Sequence, residues 1–213
     1  MTERITVAGI DPASTTGLVC LSVDANRPHD GSRWLWVASR TIAASARSQA
    51  TKTENKLALF DHARAWLHVH GVAHAVLERP ADNIPRGWKG KGQNKAGAQS
   101  AEVGFAIGEA FGMLASAARA AGCARVFSYP ATSAKEKPGK RKARVGWMPM
   151  THTGRLVHVQ AREKTLARLQ QIANDIMAQP YGGVLLPIPP QLDENVLMAF
   201  GVLSFHLSRQ PGI

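Results

Sequence analysis

Three apolar runs follow one another before any helical pattern begins, and that order restricts the fold more than any other feature. Ile5 to Asp11 reads as a strand, Pro12 to Thr16 as a tight turn, Gly17 to Val23 as a second strand and Trp34 to Ile42 as a third. The turn-forming stretches between them are short, which predicts antiparallel neighbours. Then the period changes. From Ser48 to His70, Leu57, Phe60, Ala63 or Arg64, and Leu67 recur at helical spacing, and Gly71 stands where a C-terminal cap belongs. This crossover helix leads into Ala73 to Leu77, a short apolar run that ends on Glu78, Arg79 and Pro80. That run reads as a buried strand returning parallel to the first.

The rest of the chain adds helices and one more strand. Asp82 to Lys95, rich in Gly, Pro and Lys, predicts a loop, and a long helix follows from about Ala96 to Ala121. Gly104, Gly108 and Gly112 share one face of it, which predicts close packing of that face on the sheet. Arg125 to Tyr129 reads as a fifth strand ended by Pro130, and the basic stretch Ala134 to Pro149 as irregular. Thr165 to Met177 carries an apolar stripe of Leu166, Leu169, Ile172, Ala173 and Ile176. After the proline-rich Leu185 to Pro190, Asp193 to His206 reads as an apolar helix opening on two carboxylates. The expected architecture is α/β, a mixed five-stranded sheet with helices on both faces, and a length of 213 residues fits one domain over 1–213.

A formal charge of +11 makes a polyanion the first partner to consider, nucleic acid or an anionic membrane surface. Glu102, Glu109 and Arg119 interrupt the weakly polar stretch Ala96 to Gly122, so no spanning helix is expected there. The first residues lack the basic-then-apolar layout of a secretory signal. Cys20 and Cys123 stand far apart with no CxxC spacing, which predicts free buried thiols in a reducing, cytoplasmic setting and no zinc finger. His62, His68, His70, His152 and His158 show no zinc spacing either, with His152 or His158 left as possible aids to catalysis.

Asp11, Glu78 and Asp193 all fall at element ends. If strands one and four are parallel neighbours, Asp11 and Glu78 stand side by side at their C-terminal ends, where open sheets build their sites. Like charges so close either raise a pKa or recruit a hard cation, and Mg²⁺ or Mn²⁺ with oxygen ligands suits a basic, phosphate-seeking protein. Two such ions support phosphodiester hydrolysis by activating a water and stabilising the leaving oxygen. Each acid also has a bland reading: Asp11 as a turn cap before Pro12, Glu78 as a partner of Arg79, Asp193 as a helix cap.

The segment ITVAGIDPASTTGLVCLSVD resembles the first-strand motif of RuvC-type Holliday junction resolvases, with Asp11 at the place of the first catalytic aspartate. HAVLERP resembles that family's fourth strand, matching its glutamate to Glu78, and LDENVLMAFGVLSFH resembles its C-terminal acidic helix, matching Asp193. The resemblance runs in order along nearly the whole chain. It implies a ribonuclease H-like fold, a structure-selective endonuclease for four-way or other branched DNA, Mg²⁺ or Mn²⁺ at Asp11, Glu78 and Asp193, and a homodimer. Val196 stands where the family carries a second acid one helical turn after the third. Glu194 is the alternative fourth ligand, although one residue along a helix is about 100° around it. A phage or mobile-element version, in a bacterial or phage-infected cell, would suit this departure.

Two segments supply DNA-contact candidates. Arg86, Trp88, Lys89, Lys91 and Lys95 combine phosphate-seeking cations with an aromatic able to stack on an exposed base, in a region where the resembled family places strand-opening residues. Lys135, Lys137, Lys140, Arg141, Lys142 and Arg144 form the densest cationic run, with Trp147 beyond it. No base-reading motif is evident, so structure recognition is expected over sequence reading, with no small-molecule cofactor. Two rivals remain. One is a non-catalytic nucleic-acid-binding protein of the same fold, suggested by Val196. The other is an actin-like phosphotransferase, because DPASTTG also resembles a phosphate-binding hairpin.

Overall fold

The computed structural model describes residues 3–13, 15–43, 52–79, 108–130, 155–179 and 191–209. The first two strands, β1 (Arg4–Asp11) and β2 (Thr15–Asp24), pair antiparallel from Arg4 opposite Asp24 to Asp11 opposite Gly17. In the tight turn between them the Thr16 hydroxyl donates to the Ala13 carbonyl at 2.9 Å. β3 (Leu35–Ala43) pairs antiparallel with β2, with one irregularity at Cys20/Leu21. β4 (His74–Arg79) returns parallel to β1, and β5 (Arg125–Pro130) lies parallel to β4. The sheet order is β3-β2-β1-β4-β5, the mixed five-stranded sheet expected from the sequence.

Side-chain alternation sorts the core into two layers. On one face Ala8, Ile10, Leu18, Cys20, Ala75 and Leu77 meet α1 (Lys52–Val69) and a helix described over 108–120, α2. On the other, Val7, Val19, Leu21, Val23 and Val76 meet α3 (Arg155–Met177) and α4 (Glu194–Leu207). Gly71 ends α1 at φ 57°, the left-handed conformation that a C-terminal cap requires, and Val72 N–H returns to the Leu67 carbonyl at 3.1 Å. Cys20 and Cys123 are free, buried thiols. Burial raises both, Cys123 to about 11, so neither is a ready nucleophile. No described helix is long and apolar enough to cross a membrane.

Three local expectations need correction. In α1 the buried face is Leu59, Ala63, Trp66 and Leu67, whereas Leu57 is 58% exposed. Two residues of offset along a helix is roughly 200° of rotation, which puts Leu57 on the solvent side of the turn that buries Leu59. In α2 the contact face is Ala110, Leu114, Ala117 and Ala118, and a Cβ added at Gly108 or Gly112 meets nothing within 4 Å among the described residues. Those two glycines face away from the sheet, so close packing is not their role; Gly104 lies outside the described residues. Finally, α3 begins at Arg155, ten residues before Thr165, because the apolar run Leu156, Val157 and Val159, two of them β-branched, carries no local signal that assigns it to a helix. Its expected stripe is otherwise in place, with Leu169, Ala173 and Ile176 buried and Leu166 and Ile172 packed beside them.

Candidate functional site

The register places five residues in one row across the sheet. Thr41 on β3 is opposite Gly17 on β2, and Gly17 is opposite Asp11 on β1. The parallel ladder between β1 and β4 runs as far as Ile10 opposite Leu77, so Asp11 and Glu78 each stand one residue beyond it on neighbouring strands. Glu78 in turn is opposite Tyr129 on β5. Adjacent strands lie about 4.8 Å apart, and in-register residues share a face, so Asp11 and Glu78 are neighbouring positions on one face. Alternation from Val7 and Gly9 puts Asp11 on the α4 side, and alternation from Val76 puts Glu78 there too. Both are half-buried.

Why α4 comes so close follows from two glycines of the sheet. A Cβ at Gly17 would sit 2.0 Å from the Asn195 carbonyl oxygen, and one at Gly9 would sit 2.2 Å from that of Ala199. Only glycine admits backbone at those distances, and both lie in β1 and β2 beneath the helix. The first turn of α4 therefore rests directly on the strand residue that pairs with Asp11.

Asp193 is the N-cap of α4, extended at φ −70° and ψ 162°, with its Oδ1 accepting from Val196 N–H at 3.1 Å. Its Oδ2 accepts from the Thr41 hydroxyl on β3. Burial pushes the Asp193 carboxyl up, but hydrogen bonds from Thr41, from the Val196 and Asn195 amides and from the Asn195 side chain outweigh it. The group is held below the ordinary carboxylate value. Glu194 is the exposed first residue of α4. Val196, at the position where an acid would be expected, is 4% exposed and packs in the core beneath α4. Among the described residues, no three His, Cys, Asp or Glu side chains converge closely enough to hold a metal ion. Asp11 and Glu78 are thus brought together, and Asp193 is drawn toward β3.

At the far end of α4, Tyr129 Oη lies 3.0 Å from His206 Nδ1, and Phe127 stacks against the same imidazole at 4.4 Å between centroids. His206 is fully buried, and its Nε2 meets no hydrogen-bond partner among the described residues. Burial, with His74 nearby, pushes its pKa down from 6.5 to about 4. Thr41, Asn195, Tyr129 and His206 had no sequence signal of their own. Of these, only Thr41 was reachable in principle, by carrying the hairpin register one strand further.

The sequence matches no family model, and no curated protein aligns with it. Solved structures do share its architecture. A structure of Thermus thermophilus RuvC superposes with a TM-score of 0.54 at 16% identity, over 95% of this chain and 94% of that one. T. thermophilus RuvC in complex with Holliday junction substrate gives 0.51 at 14% identity, over 95% and 93%. The chain has the RuvC fold. This is the ribonuclease H-like α/β arrangement that the sequence resemblance implied, and in it the Asp11 and Glu78 strands are the paired parallel strands at the centre of the RuvC-like sheet. Of the expected DNA contacts, Arg86, Trp88, Lys89, Lys91, Lys95, Lys135, Lys137, Lys140, Arg141, Lys142 and Arg144 lie outside the described residues, as do Trp147 and His152. His158 falls within α3.

Proposed function

We propose that the protein is a metal-dependent, structure-selective endonuclease that hydrolyses phosphodiester bonds in four-way or other branched DNA. The observation that carries this reading is the pair Asp11 and Glu78, in adjacent register on the central parallel strands of a RuvC fold. Their donor set is hard carboxylate oxygen on a shared face, which fits Mg²⁺ or Mn²⁺. When bound there, such ions supply an activated water and charge stabilisation for the leaving oxygen. Asp11 and Glu78 would hold them, and the rigid strand ends fix the separation of the two carboxylates before substrate arrives. Asp193 and Glu194 stand at the neighbouring end of α4, the former with its oxygens already hydrogen-bonded.

The net charge of +11 supplies the general attraction to a phosphate backbone, and the cationic runs at 86–95 and 135–144 are its proposed contacts. A solved RuvC was captured on a Holliday junction substrate, which supports branched DNA as the partner. A four-way junction offers two strands to cut symmetrically, so a homodimer with two equivalent sites is the assembly we propose.

Asp11→Asn is the direct test. It removes the carboxylate charge at nearly constant shape, so metal-dependent cleavage of a synthetic four-way junction should vanish while junction binding persists. Retained cleavage would remove Asp11 from the metal site. The buried Val196 and the engaged Asp193 favour one rival, a junction-binding protein that does not cut. Wild-type protein that binds the junction yet leaves it intact with Mg²⁺ and with Mn²⁺ would establish that rival.

A further inference from the structure

We propose that Asp193 and Thr41 form a clamp that fixes the N-terminus of α4 across β2 onto β3, and that Asp193 serves the site as a positioning residue rather than as a metal ligand. The part concerning the site rests on the nuclease reading above; the clamp itself rests on geometry alone.

An ionised carboxylate has about four acceptor positions on its two oxygens. One oxygen of Asp193 caps the helix through Val196 N–H at 3.1 Å, and the other takes the Thr41 hydroxyl. The Asn195 amide and side chain add to the same carboxylate. Both of its oxygens are therefore engaged from within the protein. In addition the Asp193 carbonyl accepts the first intrahelical bond, from Leu197 N–H at 3.0 Å, so the residue starts the helix with its backbone and ties it down with its side chain.

The partner's location gives the clamp its direction. Thr41 is opposite Gly17, and Gly17 is opposite Asp11, so Thr41 stands two strands from Asp11, roughly 10 Å at ordinary strand spacing. A short aspartate side chain held on Thr41 is drawn to the β3 side of Gly17, whereas Asp11 and Glu78 lie on the β1 and β4 side. This accounts for the absence of a three-carboxylate cluster among the described residues. Because the Asn195 carbonyl presses where a Gly17 side chain would be, the clamp also sets how closely the first turn of α4 approaches the strand residue paired with Asp11.

The test separates charge from hydrogen bonding. Asp193→Asn keeps its oxygen for the cap and turns an NH2 toward Thr41, whose hydroxyl then accepts instead of donating, and asparagine caps helices as well as aspartate does. Asp193→Asn should therefore retain the Mn²⁺ affinity of the wild-type chain, measured by calorimetry, and its thermal midpoint. Asp193→Ala and Thr41→Val should each speed amide exchange at Val196 and Leu197 by about fivefold to tenfold, as loss of a cap implies. The double variant should show no further change, and Thr41→Ser should restore protection. A loss of Mn²⁺ affinity in Asp193→Asn comparable with that in Asp11→Asn would overturn the positioning role, as would additive exchange effects of Thr41→Val and Asp193→Ala. If the wild-type chain itself binds no Mn²⁺, the nuclease reading fails, and the exchange cycle alone decides whether the clamp stands.

Discussion

Gly17→Ala is the smallest change that challenges the placement of α4. The new methyl would start 2.0 Å from the Asn195 carbonyl oxygen, 2.2 Å from its carbon and 2.8 Å from Val196 N, all backbone atoms that no rotamer change can move. Ordinary contact begins at 3.4 Å, so the first turn of α4 must lift by about 1.4 Å. Val196, Leu197 and Phe200 are 4%, 7% and 0% exposed in that region, and gaps of this order forfeit a quarter to a half of each dispersion contact. Overpacking of a dense core costs roughly 1–3 kcal/mol, and disturbing the Asp193 cap adds about 1 kcal/mol. At roughly 2–4 °C per kcal/mol for a chain of this size, the thermal midpoint should fall by about 5–15 °C. Differential scanning calorimetry measures it, and amide exchange at Val196 and Leu197 locates it. A Gly17→Ala protein melting with the wild type and equally protected there would refute the claim that glycine is required by the approach of α4.

Two further outcomes are expected. His206 holds a proton less readily when folded, near pH 4 against an ordinary 6.5, so the unfolded chain binds more protons between those values and stability must fall as pH drops through that window. The loss should be roughly 2–3 kcal/mol by urea denaturation, with His74 acting in the same direction through its own burial and Arg125; a His206→Phe variant that keeps the full acid slope would contradict it. Gly112→Ala in α2 adds a methyl that meets nothing within 4 Å among the described residues, so it should stabilise by about 0.5–1 kcal/mol through helix propensity alone. A lowered melting temperature would mean that this face of α2 is packed after all.

The sequence made strands legible where apolar period and β-branching coincide, as in β1, predicted from Ile5 and observed from Arg4 to the same Asp11. Helix faces were less legible. Leu57 and Leu59 are equally apolar, and only the sheet, through Trp66 and Leu67, selects the turn on which the second is buried. The glycines of α2 share a face, yet a shared face need not be a contact face. At the site, Asp11 and Glu78 were readable because a parallel return strand dictates their register from local pattern. The partners of Asp193 and His206 were not, since Thr41 is 152 residues away from the one and Tyr129 is 77 from the other. Hydrogen bonds across such separations depend on the angle at which a helix crosses a sheet, and no local propensity encodes that angle.

That crossing is what unites the site with the rest of the fold. α4 begins over Gly17 on β2, passes Gly9 on β1 at Ala199 and Leu203, and ends beside Phe127 and Tyr129 on β5. It is held to one edge strand by Asp193 on Thr41 and to the other by His206 on Tyr129. Thr41 and Tyr129 are the two ends of the row in which Asp11 and Glu78 are the middle. A helix fourteen residues long and anchored at both ends moves as a rod, so a disturbance at His206 must either be absorbed by that local bond or tilt the whole element. The buried, half-satisfied imidazole makes the first route costly, because Tyr129 is the one hydrogen-bond partner it has among the described residues. The geometry around Asp11 and Glu78 therefore depends on contacts at both edges of the sheet, one of them a full helix length away.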